Sequence, residues 1–115
     1  MFQQMVPLTP RDAAALRDFA QAARDLLGPE LIELRLFGSK ARGDDQPDSD
    51  IDVAVIVRHA DKTERNTLID RAIDVSSAHG VYVSARVIPI DIFRHPVWRL
   101  TGFLQAVERE GILVP

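Results

Sequence analysis

Two aspartates, Asp50 and Asp52, open an apolar run that continues as Val53-Ala54-Val55-Ile56-Val57. In a β-strand, residues two apart project to the same face, so the two carboxylates stand side by side. Adjacent carboxylates repel unless a cation sits between them. A hard divalent ion such as Mg2+ is the natural occupant, and it usually also takes phosphate oxygens. Alone, an Asp-x-Asp pair is more often two solvated acids at a strand edge. Upstream, the run Leu36-Phe37-Gly38-Ser39-Lys40-Ala41-Arg42-Gly43 offers a second chemistry. Gly38 follows an alternating apolar segment, where a backbone can approach a ligand closely. Ser39 adds a hydroxyl, and Lys40 and Arg42 add positive charge. Amides, a hydroxyl and a cation together suit a phosphate tail. The plain alternative is a surface turn carrying ordinary charges.

The elements that must position these groups can be read around them. Thr9-Pro10-Arg11-Asp12 has an N-cap, a proline for the first helical position and an acid for the first turn. Leu16, Phe19, Ala20, Ala23 and Leu27 then recur at helical spacing until Gly28-Pro29. Residues 31–37 alternate, which places Ile32, Leu34 and Leu36 on one face and Glu33 and Arg35 on the other. Gly38 to Ser49 is polar and turn-like. Residues 51–57 are nearly all apolar, as in a central strand. Asp61-Lys62-Thr63-Glu64 has the form of a capping box. Leu68, Ile69, Ala72, Ile73 and Ser76 mark the helix that follows, with Gly80 as its stop. Residues 81–88 predict a third strand, with Tyr82, Ser84, Arg86 and Ile88 on its more polar face. Asp91 is placed to cap a short helix. Leu100, Phe103, Leu104 and Val107 predict a last helix, with Gly111 just past its end and a short strand over 112–114. The expected fold class is α/β (α+β), a small mixed sheet with helices packed on it in the order α-β-β-α-β-α.

A phosphate-gripping turn that ends one strand and an acid pair that begins the next fall at one end of the sheet. The joint pattern, Gly38-Ser39, ten residues, then Asp50-Ile51-Asp52, resembles the nucleotidyltransferase superfamily that includes DNA polymerase β. More narrowly, Gly38-Ser39-x-Ala41-Arg42-Gly43 and Ser49-Asp50-Ile51-Asp52 resemble the minimal nucleotidyltransferase (MNT) family. Residues 107–112 are similar to that family's C-terminal end. The resemblance implies the polymerase β-like fold and an enzyme that transfers a nucleoside monophosphate, AMP from ATP being the expected case, to an acceptor. It implies that Asp50 and Asp52 bind Mg2+ as the catalytic pair. It also implies that Gly38 and Ser39 hold the β- and γ-phosphates, with Lys40 and Arg42 as phosphate or acceptor contacts. For Arg42, a salt bridge to Asp44 or Asp45 is an equally good reading. Active members usually carry a third carboxylate on a neighbouring strand, where this sequence has Ser84 and Arg86. Many minimal members work beside a helical HEPN-domain protein as the antitoxin of a toxin–antitoxin pair, so a HEPN-type partner is expected. A degenerate MNT protein that neutralises its partner by binding alone is the alternative.

Other motifs fail on their residues. Gly38 and Gly43 have phosphate-loop spacing, but Asp44-Asp45 follows where Lys-Ser/Thr is needed. Asp48-x-Asp50-x-Asp52 begins like a calcium loop, yet its sixth and twelfth positions are Val53 and His59. His59, His79 and His95 are scattered and read as surface or capping residues. The 115 residues suit one domain, 1–115. With 14 basic against 17 acidic side chains, bulk charge does not favour direct nucleic-acid binding. The absence of cysteine fits a reducing, cytoplasmic setting. No apolar run is long enough to span a membrane, and residues 1–7 lack the character of a signal peptide. Phe93, Val97, Trp98, Leu100 and Phe103 form the densest aromatic and aliphatic cluster, for which core packing is the default and a partner contact the alternative. Self-association stays open.

Overall fold

Helix α1, Pro10–Leu27, starts as its sequence requires. Thr9 is the N-cap, and its hydroxyl accepts from the Asp12 amide at 3.1 Å, a cap worth about 1 kcal/mol. Leu16, Phe19, Ala20, Ala23 and Leu27 are all buried, as their spacing predicts. The computed structural model describes residues 8–46 and 48–115. The signal-peptide expectation therefore lies outside the described residues.

A 3-10 turn, Gly28–Glu30, leads into β1, Leu31–Phe37. The chain continues through α2 (Ser39–Arg42), β2 (Ile51–Val57), α3 (Lys62–His79), β3 (Val83–Pro89) and α4 (Ile90–Phe93). It ends with a 3-10 turn at Trp98–Leu100, then α5 (Gly102–Glu110) and β4 (Ile112–Leu113). The sheet order is β3-β2-β1-β4. β1 is antiparallel to both β2 and β4, whereas β2 and β3 are parallel and joined through α3. The sheet is mixed, as expected, and β2 is central.

Each face has its own core. Leu34, Leu36, Ile51, Val53, Val55, Val57 and Val83 pack with α1 and with Leu68 and Ala72 of α3. Phe37, Ala54, Ile56 and Ile88 pack with Phe93, Leu104 and Val107 on the other side. Burial on both faces is why β2 is apolar throughout apart from Asp52. α3 begins with both halves of the capping box, Glu64 amide to Asp61 and Asp61 amide to Glu64.

Several local expectations are corrected. Ile32 joins the Phe37 face instead of lying with Leu34 and Leu36. The β1–β2 pairing slips between Leu31 and Glu33, and such an irregularity breaks the period-two alternation. β3 starts at Val83, not at residue 81, because the end of α3 holds the preceding segment: the Val81 amide donates to Ser76 O and the Val83 amide to Ser76 Oγ. Of the predicted α3 face, Ile69 and Ile73 are exposed. The cap of α4 is Pro89, and Asp91 sits in the first turn with its carboxylate accepting from the Ile92 amide. Gly111 has an extended φ of −65°. Its small size matters instead, since a Cβ there would overlap Val107 O and come within 3.0 Å of Arg35 Cδ. In the aromatic cluster only Phe93 is buried; Val97, Trp98, Leu100 and Phe103 are exposed, Trp98 to 55%.

Candidate active site

The Gly38 turn and the acid pair meet because β1 ends where β2 begins. Phe37 and Asp52 are partners in the antiparallel register, so the next residue, Gly38, passes directly over the Asp52 side chain. Gly38 has φ +78° and ψ −158°, a conformation open to glycine and strained for other residues. A side-chain carbon on Gly38 would also overlap the Asp52 carboxylate. Glycine is required here on both counts. The turn then winds into α2, where the Ala41 and Arg42 amides return to Gly38 O at 3.1 and 3.0 Å. The Ser39 and Lys40 amides lie in the first turn, where no earlier helical carbonyl can accept them. Gly43, left-handed at φ +82°, closes the turn with its amide on Ser39 O. Within the Gly38–Ser49 segment read as turn-like, Ser39–Arg42 is therefore a one-turn helix.

Asp50 is exposed and Asp52 half-buried. Burial, and then the neighbouring Asp50, push the Asp52 carboxyl above its ordinary value, against the opposing attraction of Arg86 and Arg42. A carboxylate pair that disfavours its own full ionisation suits a cation. Among the described residues no group of three or more His, Asp or Glu forms a metal cage. Two oxygen-donor carboxylates are nevertheless a fitting set for Mg2+, which takes one or two from the protein and the rest from water and phosphate. The missing Cβ at Gly38 lets the backbone of the turn pass against the Asp52 carboxylate.

The two basic residues of the turn differ. Lys40 is buried to 3% exposure, with its ammonium 2.8 Å from Asp12 and 3.0 Å from Asp45. Burial works against its charge, but the hydrogen bonds to both carboxylates outweigh it and raise the ammonium above its ordinary value. The bond from Lys40 in turn holds the Asp45 carboxyl low. Lys40 thereby ties α2 to the first turn of α1, a connection the sequence did not reveal. Arg42 pairs with Asp44 and with Glu110 of α5, each at 3.1 Å. The Asp44 bridge was one of its two expected readings, and the Glu110 partner is new.

β3 supplies the third wall. Ser84 is the partner of Asp52 and Arg86 that of Ala54, so both share the Asp52 face, with no acid beside them on the strand. The Arg86 guanidinium lies 5.3 Å from the centroid of the Phe103 ring, and Phe103 meets Phe37 edge-on at 5.5 Å. Phe103 was expected as packing, and nothing in its spacing marked it as a neighbour of the site. A cleft of about 840 Å3 adjoins the entry to β2, lined in part by Arg11, Lys40, Asp45, Asp48, Ser49 and Tyr82. Two of the three histidines serve structure: His79 pairs with Asp18, and His95 Nδ1 accepts from the Val97 and Trp98 amides, while His59 is exposed.

Residues 16–112 match the family model described as the nucleotidyltransferase domain. A Methanocaldococcus jannaschii protein, provisionally named as a protein adenylyltransferase, is 28% identical over 99 residues, covering 86% of this chain and 94% of the relative. A chain from the crystal structure of a toxin–antitoxin with AMP-PNP aligns at TM-score 0.56 and 26% identity, over 83% of this chain and 68% of that one. A provisionally assigned minimal nucleotidyltransferase aligns at TM-score 0.53 and 25% identity, over 88% of this chain and 94% of that one. No described helix is long and apolar enough to cross a membrane.

Proposed function

This chain belongs to the nucleotidyltransferase domain family, and from that premise we propose that it transfers AMP from ATP to a hydroxyl of a partner protein. The observation that carries the reading is the contact of Gly38 with Asp52, which joins the Gly38–Ser39 turn to the acid pair in one site. The relative named as a protein adenylyltransferase supports a protein acceptor. The toxin–antitoxin neighbour with AMP-PNP supports ATP as donor and a toxin partner. A HEPN-type toxin is the partner that the sequence resemblance implies, with this chain as its antitoxin in the cytoplasm.

Asp50 and Asp52 would hold Mg2+, and the Gly38–Ser39 turn the β- and γ-phosphates. When bound, the ion neutralises phosphate charge and polarises the phosphoryl oxygens. Lys40 we assign to holding the turn against α1, since its ammonium already has two carboxylates. Arg42 would border the phosphate site while anchored on Asp44 and Glu110. In the transfer, the acceptor hydroxyl oxygen bonds to the α-phosphorus and the bond from that phosphorus to the bridging oxygen breaks. Pyrophosphate leaves with the electron pair, and the hydroxyl proton passes to water.

The test is incubation of the protein, the HEPN-type partner and Mg2+ with ATP labelled at the α-phosphate. Label on the partner, lost in Asp50→Asn and in Asp52→Asn, is the expected result; label that survives both changes overturns the assigned site. The lack of an acid on β3 beside Ser84 and Arg86 favours one alternative, a neutralising subunit that acts by binding alone. In that case the wild type transfers no label, and the double variant still neutralises the partner.

A further inference from the structure

We propose that Arg86 is a nucleotide-binding residue, its guanidinium receiving the phosphate chain of the triphosphate beside Asp52. The inference rests on the nucleotidyltransferase reading and adds a residue to it. Because β2 and β3 are parallel with Ala54 opposite Arg86, the Arg86 side chain leaves the sheet on the Asp52 face, one step along from Ser84. The Arg86 side chain is exposed. Yet no described carboxylate lies within 4.0 Å of it, whereas Arg42 has two.

What positions Arg86 is an aromatic ring. The guanidinium lies 5.3 Å from the Phe103 centroid, and Phe103 is braced edge-on by Phe37, the residue paired with Asp52. A cation–π contact steadies a guanidinium without neutralising it, so its charge and donor fork remain available. The electrostatics call for such a group. Two carboxylates and one divalent cation sum to zero, −2 + 2, while a triphosphate brings several negative charges. No acid on the Asp52 face of β3 is present to hold a second cation, and an unpaired guanidinium stands there instead. Arginine also matches phosphate oxygens with two parallel N–H donors.

The experiment is calorimetric titration with a non-hydrolysable ATP analogue in Mg2+, on the full chain as wild type, Arg86→Met and Arg86→Lys. Arg86 is exposed, so all three should melt alike. Arg86→Met is expected to bind about ten- to hundredfold more weakly, and Arg86→Lys to recover part of the loss. Binding by Arg86→Met equal to wild type overturns the inference and leaves the nucleotidyltransferase reading standing. A lowered melting temperature in Arg86→Met with no recovery in Arg86→Lys shows a structural role and also overturns it. A wild type that does not bind the analogue overturns the nucleotide reading itself, and this inference with it.

Discussion

Gly38 lies against Asp52 with no room between them for a methyl group. The two residues belong to different strand ends, and the antiparallel register of Phe37 with Asp52 brings them together. The Gly38 turn and the acid pair are therefore one steric unit. Displacing either displaces the other.

Gly38→Ala and Gly43→Ala separate backbone strain from this contact. Both positions have positive φ, +78° and +82°, but a Cβ at Gly43 meets nothing within 4 Å. Each substitution should cost about 1–2 kcal/mol in urea denaturation from backbone strain alone. Gly38→Ala should cost more and should also abolish nucleotide binding, which Gly43→Ala should spare. Equal losses in both assays would show that the Asp52 contact is unimportant.

Asp52 sets a pH dependence of stability. Burial and Asp50 raise its carboxyl above 3.8, so the folded chain binds that proton more tightly than the unfolded chain. Stability is then lost as pH rises from the unfolded value through the folded one, and the penalty is complete above it. In a chelator, Asp52→Asn should melt higher than wild type near neutral pH, and its advantage should vanish in acid. Excess Mg2+ should raise the melting temperature of wild type and not of Asp52→Asn. An advantage that persists in acid would rule out this electrostatic origin.

Lys40 predicts a large stability loss. Lys40→Met leaves Asp12 buried without its cation, which should cost about 3 kcal/mol or more. Adding Asp12→Leu should return part of that loss. Asp45 carries the opposite pH sign to Asp52. Its carboxyl is held below 3.8 by Lys40, so its contribution is present above that value and lost as pH falls through the folded one. A full-strength Lys40→Met protein in thermal melting would contradict the buried pair.

Trp98 and Phe93 divide the aromatic cluster. Trp98→Ser should change unfolding free energy by less than about 0.5 kcal/mol, as expected for an exposed side chain. Phe93→Ala should cost about 3 kcal/mol, because Phe93 is packed in the second core. Comparable losses would mean that Trp98 is covered in solution.

Much of this architecture is legible locally. The Thr9 cap, the Asp61–Glu64 box and the unbroken apolar run of β2 depend on neighbours in sequence, and each appears where its residues place it. The gathering of Gly38, Ser39, Asp50 and Asp52 at one sheet end was readable because a strand, a turn and a strand leave few alternatives. The rest depends on partners distant in sequence. Lys40 looks like any turn lysine until Asp12, 28 residues earlier, is folded beside it. Glu110 comes to Arg42 from 68 residues away. The exposure of Trp98 and Ile73 could not be read from helical spacing, which says which residues share a face and not whether anything covers it. Ile32 changed faces through one irregular pairing with β2, which no property of Ile32 announces.

β2 alternates in a way that bears on motion. Between Asp50 and Asp52 lies Ile51, and after them Val53, both with no exposed surface. Asp52 is thus bracketed along the backbone by two residues of the Leu16–Phe19 core, and Asp50 is followed directly by one of them. For either carboxylate to shift its Cα, the strand would have to drag a packed side chain through a close-fitting interior. The acids are free to turn about their own side-chain bonds and little else. A nucleotide arriving at this end of the sheet would meet an Asp52 whose backbone is already fixed, and the Ile51 amide, bonded to Tyr82 O, should exchange slowly.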